Sequence, residues 1–200
     1  MKTYNVAVVG ASGAVGEELF RVLEEVNFPV ADLLPLASAK SAGEMIEFQG
    51  KEYKIEELTE EVFQGRGIDI AFFSAGGSIS AQYAKFAVES GAVVIDNTSH
   101  FRMDPNIPLV VPEVNPEDIA LWEETGIIAN PNCSTIQMVV ALKPLHDLAK
   151  IKRVVVSTYQ SVSGGGKDAM DELFNSTKNV YQNKFEDPKK FTKRIAFNVI

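Results

Sequence analysis

The chain has 200 residues, 46% of them hydrophobic and 23% charged, enough to bury a sizeable core in one large domain or in one domain and part of another. Its 27 acidic residues outnumber 19 basic ones, for a formal charge of -8, which argues against nucleic acid or an anionic membrane as partner because both demand a basic surface. One cysteine excludes an internal disulfide; with no apolar run near the ~20 residues that span a bilayer and no apolar leader after Met1-Lys2-Thr3-Tyr4-Asn5, a cytoplasmic protein is expected.

Val6-Ala7-Val8-Val9 is a continuous apolar run that reads as a buried strand. It ends in Gly10-Ala11-Ser12-Gly13-Ala14-Val15-Gly16, after which Leu19, Phe20, Val22, Leu23 and Val26 supply a stripe at helical spacing. Strand, glycine loop and helix is the context in which small residues let a backbone approach a pyrophosphate while the helix N-terminus faces its charge. The spacing is G-x-x-G-x-x-G rather than G-x-G-x-x-G. The competing use of such glycines is close helix-to-sheet packing without a ligand.

Strands are expected at 33–37, 68–73, 92–96 and 126–129 and a helix over 79–90, with a hairpin inserted at 45–48 and 53–55. Strands alternating with helices predict an α/β, doubly wound parallel sheet of Rossmann type. An NAD-preferring site places Asp or Glu about 20 residues beyond the glycine loop, on the ribose hydroxyl. That region reads Leu36-Ala37-Ser38-Ala39-Lys40-Ser41-Ala42-Gly43, without a carboxylate. Hydroxyls and a lysine suit a 2′-phosphate, so NADP is expected, against the alternative of a solvated loop with a stray lysine.

Asp96-Asn97-Thr98-Ser99-His100-Phe101-Arg102 follows a sheet strand, where ligands of parallel sheets collect. Arg102 is the candidate anion grip, through its planar fork. As a lone arginine it would otherwise be a surface charge. Farther on, Pro131 and Asn132 read as a helix start before the apolar run 135–142, which puts Cys133 in the first helical turn. Unpaired N–H groups and the positive dipole end favour a thiolate there, which makes Cys133 a candidate nucleophile. The ordinary alternative is a small buried hydrophobe.

Residues 151–159 are rich in β-branched side chains. Ser163-Gly164-Gly165-Gly166-Lys167 lacks the Ser or Thr that a Walker loop needs after its lysine, since Asp168 stands there. It reads instead as a turn beside a cofactor or a hinge. Beyond Lys167 the pattern weakens into a polar stretch, 175–194, and then the apolar run Ile195-Ala196-Phe197-Asn198-Val199-Ile200. That run has no evident partner, so the chain is expected to be the opening part of a longer protein.

Six motifs in register, Gly10 to Gly16, Ala37 to Gly43, Asp96 to Ser99, Val110-Val111-Pro112-Glu113-Val114-Asn115, Pro131 to Thr135, and Ser157-Thr158-Tyr159-Gln160-Ser161-Val162-Ser163-Gly164, closely resemble the aspartate-semialdehyde dehydrogenase family. The resemblance implies an NADP-dependent reductive dephosphorylation of aspartyl phosphate to aspartate semialdehyde, toward lysine, methionine and threonine. It implies Cys133 as acyl-thioester nucleophile, Arg102 and Asn132 as phosphate or substrate ligands, and Gln160 as the group orienting substrate. By the same likeness Gly10, Ser12, Gly13, Ala14, Val15, Lys40, Ser41, Ser163 and Gly164 line the NADP site. No metal is expected, and a homodimer or higher assembly is. The dinucleotide-binding domain would be 1–132, with the start of an α+β substrate and dimerisation domain in 133–200.

The family's general acid/base is a histidine in the part of the protein beyond this sequence. His146 lies 13 residues after Cys133 on the same expected helix, about 20 Å away at 1.5 Å per residue and out of reach. His100 stands near the anion site without a family role. The 200 residues alone are therefore expected to bind NADP and turn over poorly or not at all. The alternatives are an N-acetyl-γ-glutamyl-phosphate reductase, which shares the thiolate and acyl-phosphate logic, and an NADP-binding module without chemistry.

Overall fold

Val6 to Val9 are fully buried in β1 (Tyr4–Val9), and a strand apolar on both faces needs cover on both, which crossover helices supply. In the computed structural model, which describes residues 2–200, β1 is followed by α1 (Ala14–Glu25), β2 (Val30–Ala37), β3 (Met45–Phe48), β4 (Lys51–Lys54) and β5 (Glu56–Glu57). Next come β6 (Ile70–Phe73), α2 (Gly77–Glu89), β7 (Val93–Asp96) and β8 (Ile127–Ala129), then α3 (Cys133–Leu148) and α4 (Lys167–Tyr181). The chain forms two compact units, one running through Val154 and one of Val155–Ile200.

In the first unit six strands pair in the order β5-β2-β1-β6-β7-β8, every pair parallel. Numbered by the sheet alone this is 3-2-1-4-5-6, the doubly wound order that the alternation predicts, and its switch point lies between β1 and β6. One face is packed by Leu36, Phe63, Phe73 and Val94 with Ala84 and Ala87 of α2. The other holds Val6, Val8, Phe48 and Ile55 with Phe20 and Leu23 of α1. No helix among the described residues is long and apolar enough to cross a membrane.

Several expectations shift. The α1 stripe is narrower than the sequence suggests: Gly16, Phe20 and Leu23 are buried, while Val22 is 39% and Val26 63% exposed. The hairpin turns on two residues, Gln49 and Gly50 with φ of 50° and 71°, the left-handed pair that matches strand twist, so β4 starts at Lys51 rather than at 53. The two-residue β5 was not anticipated. The β-branched segment 151–159 forms no strand: these residues pair with no strand among the described ones, and Val155 is 79% exposed. β-branched composition favours an extended chain, but only a ladder partner makes a strand.

In the second unit the polar stretch expected after Lys167 proves to be helical through Tyr181. Gly166, at φ 81°, precedes its start, Asp168 stands in the first turn and Lys178 in the last, both complementing the helix dipole. The apolar signal is weak because Ala169 is the one buried residue of α4. Glu172 accepts hydrogen bonds from the backbone N–H of Lys189 at 3.0 Å, of Lys190 and of Phe191 at 3.5 Å, tying the following segment to the helix. In the C-terminal run Ala196 is buried and Phe197, Val199 and Ile200 are exposed.

Candidate active site

The glycine loop sits at the switch point. Gly10 has φ +98°, and a Cβ on it would meet Ser74 Oγ at 2.9 Å and Ala75 N at 3.0 Å, so the turns after β1 and β6 approach this closely only across a glycine. Gly16 has the packing use: its Cβ would lie 2.3 Å from the Gly10 carbonyl oxygen. Between them α1 begins at Ala14, behind Gly13, with no side-chain cap. The N–H groups of Ala14, Val15 and Gly16 therefore point out of the helix without intrahelical acceptors, at the end whose dipole favours an anion. Ser12 lies in the same turn. The Leu36 carbonyl accepts from Gly10 N and Ala11 N, at 2.9 and 3.0 Å, which holds the end of β2 against the loop. The turn that follows carries exposed Lys40 and half-buried Ser41 and is closed by Ser41 N donating to Ser38 O at 3.0 Å.

Across the sheet the ends of β7 and β8 form a second cluster. Asp96 is fully buried; its carboxylate accepts from Ser80 Oγ at 2.8 Å, Thr98 N at 3.1 Å and Thr98 Oγ1 at 2.8 Å. That fixes the loop on which Arg102 follows. Arg102 Nε donates to the Asn130 carbonyl at 3.0 Å and its Nη2 to the Asn97 carbonyl at 2.9 Å. Half-buried and bridging two strand ends, it is no loose surface charge. His100 is exposed, its ring edge against Phe101 at 4.5 Å between centroids.

From β8 the chain passes through Asn130 and Pro131 into α3. Asn132 caps that helix, its Oδ1 accepting from Ser134 N at 3.0 Å and Thr135 N at 3.2 Å, so the amide Nδ2 is the end left to meet an anion. Cys133 is the first helical residue and is exposed. This disposes of the buried-hydrophobe alternative. His146 lies on the same helix, beyond Pro144.

In the second unit Gln160, Ser163 and Gly164 come together in one turn. A Cβ on Gly164 would lie 2.5 Å from Gln160 Nε2, and Ser161 Oγ accepts from Ser163 N at 3.3 Å. Sequence reasoning named no role for Ser74, Ser80, Asn97 or Asn130. The Asp-Asn-Thr-Ser run flagged the strand end, but its partners at positions 80 and 130 are long-range and leave no local signal.

Residues 5–122 match the semialdehyde dehydrogenase NAD-binding domain and residues 142–200 the semialdehyde dehydrogenase dimerisation domain. The chain belongs to the semialdehyde dehydrogenase family. Within it, the aspartate-semialdehyde dehydrogenase of Campylobacter jejuni is 62% identical over all of this chain and 59% of its own length. Aspartate semialdehyde dehydrogenase II of Vibrio cholerae, solved in complex with ASA, superposes with a TM-score of 0.95 at 52% identity, over 99% of this chain and 58% of that one. The Candida albicans enzyme solved with NADP gives a TM-score of 0.59 at 25% identity, over 75% of this chain and 48% of its own. The chain thus spans about three fifths of the length of its semialdehyde dehydrogenase relatives from Campylobacter and Vibrio.

Proposed function

We propose that this chain carries the dinucleotide site and the nucleophile of an NADP-dependent aspartate-semialdehyde dehydrogenase, cytoplasmic and dimeric or larger, acting toward lysine, methionine and threonine. The observation that carries the reading is Cys133: exposed at the first position of α3, three positions after Asn130, the residue just beyond β8 to which Arg102 is tied. Residues 1–132 would hold the dinucleotide, and 133–200 would open the substrate and dimerisation domain.

In this reading the Cys133 thiolate attacks the acyl carbon of aspartyl phosphate. The acyl carbon–oxygen bond to phosphate breaks, leaving a thioester and inorganic phosphate. Arg102 and the Asn132 amide offset the charge of the leaving phosphate, and Gln160 orients the amino acid. Gly10, Ser12, Gly13, Ala14, Val15, Lys40 and Ser41 would line the dinucleotide site, and the resemblance assigns Ser163 and Gly164 to the same cofactor. The fit rests on the uncapped start of α1, whose first N–H groups have no intrahelical acceptor and face the loop. NADPH bound there would supply hydride to the thioester carbonyl, and Cys133 would leave as thiolate when its carbon–sulfur bond breaks to free the aldehyde. Proton transfers fall to a histidine that the resemblance puts beyond residue 200. NADP over NAD is supported by the carboxylate-free turn after β2 with Lys40 and Ser41.

The test is phosphate-dependent NADP reduction by a polypeptide carrying this chain at the full length of its relatives. Aspartate semialdehyde and N-acetylglutamate semialdehyde are offered separately. Activity on the first, lost in Cys133→Ala, is expected; activity on the second alone overturns the substrate. The 200-residue chain by itself should bind NADP with little or no turnover.

A further inference from the structure

We infer that Asn97 and Asn130 are a positioning pair for Arg102, aiming its guanidinium at the anion that the Cys133 site takes; this rests on the reading of Cys133 and Arg102 as parts of one site. The two asparagines hold equivalent places, each the first residue beyond its strand, after Asp96 of β7 and Ala129 of β8. Each is anchored through its own backbone: Asn97 N donates to Phe73 O and Asn130 N to Asp96 O, both at 2.8 Å. Their carbonyls take Arg102 Nη2 and Nε, and their side chains close the arrangement, Asn130 Nδ2 donating to Asn97 Oδ1 at 2.7 Å.

This geometry uses the side edge of the guanidinium, made by Nε and one Nη2 hydrogen. Of the group's five N–H donors, those at the end of the fork are not engaged by the described bonds. That end is the edge a phosphate or carboxylate would take in bidentate fashion. An arginine on an exposed loop samples many rotamers; one held by two carbonyls whose spacing is itself fixed by an amide pair meets its anion preorganised. The buried Asp96, Ser80 and Thr98 network underlies the same loop and removes its freedom to drift. Cys133 stands three positions after Asn130, a reach of at most about 10 Å. The pair therefore sets cation and thiol from one piece of backbone.

The test compares the rates at which the chain's one cysteine reacts with iodoacetate, an anion, and iodoacetamide, its neutral analogue. Their ratio cancels the intrinsic reactivity of the thiol. A guanidinium within about 8 Å should favour the anion by about two- to fivefold. Arg102→Ala should abolish that preference. Asn130→Ala and Asn97→Ala, approaching the pair from its two sides, should each lower the ratio while leaving the iodoacetamide rate within about twofold, and Asn130→Ala should change nothing further in the Arg102→Ala background. A merely structural role would move both reagents together and leave the ratio intact. If Arg102→Ala leaves the ratio unchanged, the anion site falls and the pair with it. If Arg102→Ala lowers it and both asparagine variants keep the parent ratio, the pair alone is overturned.

Discussion

The carbonyl oxygen of Gly10 occupies the place that a side chain on Gly16 would need, 2.3 Å from the ideal Cβ, with Ala11 Cα and O both at 2.9 Å. All three atoms are backbone, so none can swing aside. Gly16→Ala must therefore push α1 off the β1 turn, an overpacking that should cost about 3 kcal/mol and lower the melting temperature by about 6–12 °C. Because the same displacement moves the N–H groups of Ala14 and Val15, NADP binding should weaken in step. A thermal melt with and without NADP checks both. Gly65→Ala is the control, since nothing lies within 4 Å of its Cβ and only its positive φ would be strained.

Asn132 divides two duties between the ends of one amide. Its oxygen caps α3, and in the proposed function its nitrogen faces phosphate. Asn132→Asp keeps the cap and loses the donor, so stability should hold while phosphate affinity in the full-length enzyme falls. Asn132→Ala loses both and should also cost about 1 kcal/mol of stability. Melting curves read beside the phosphate KM separate the two; equal effects of both variants on both quantities would count against the division.

Buried alternation carried most of the fold. Val6 to Val9, Ala71, Phe73 and Val94 are apolar in short runs bounded by turn residues, so their strands and the parallel sheet were readable locally. The glycine loop and Asn132-Cys133 were readable for the same reason: a cap and a tight turn are decided by residues a few positions apart. What escaped depended on partners. β5 is two glutamates, Glu56 and Glu57, whose strand character comes from pairing with Leu36 and Ala37. Val154, Val155 and Val156 have strand composition and no ladder. Arg102 stood out by type, but its anchors at 97 and 130 belong to two strand ends that only the sheet makes adjacent.

Asp96 is a buried carboxylate whose described partners are neutral groups: two hydroxyls and a backbone N–H. Removing it takes the acceptor from Thr98 N and leaves Ser80 Oγ and Thr98 Oγ1, 3.1 Å apart, only each other in place of a carboxylate. Asp96→Ala should destabilise the first unit by about 2–4 kcal/mol. It should also loosen the loop that holds Asn97 and Arg102, lowering the iodoacetate preference at Cys133. Denaturant unfolding measures the first effect; Asp96→Asn, which keeps one acceptor, should recover part of it.

Lys40 is exposed in the turn after β2, beside a loop without a carboxylate. If it meets the 2′-phosphate of NADP, Lys40→Glu replaces attraction with repulsion at that one group and leaves the pyrophosphate contacts alone. NADP affinity should fall about tenfold or more while NAD affinity changes little, since each 1.4 kcal/mol is a factor of ten. Titrating the 200-residue chain with both dinucleotides decides it. Equal losses for both would assign Lys40 to the shared part of the site.

Glu172 holds the segment after α4 through charge, and that attachment should respond to acid. Desolvation pushes its carboxyl up, but the N–H groups of Lys190, Lys189 and Phe191, with the Lys189 charge, outweigh this and hold it below the usual value of 4.5. A group depressed in the folded state contributes fully above its unfolded value and loses that contribution as pH falls through the lower folded one. Protection of the 189–191 amides from hydrogen exchange, corrected for intrinsic rates, should therefore be constant near neutral pH and decline on acidification below about 4.5. Glu172→Gln keeps an acceptor without the charge: protection there should be weaker and flat across the same range. An acid response that survives the substitution would assign the attachment to another group.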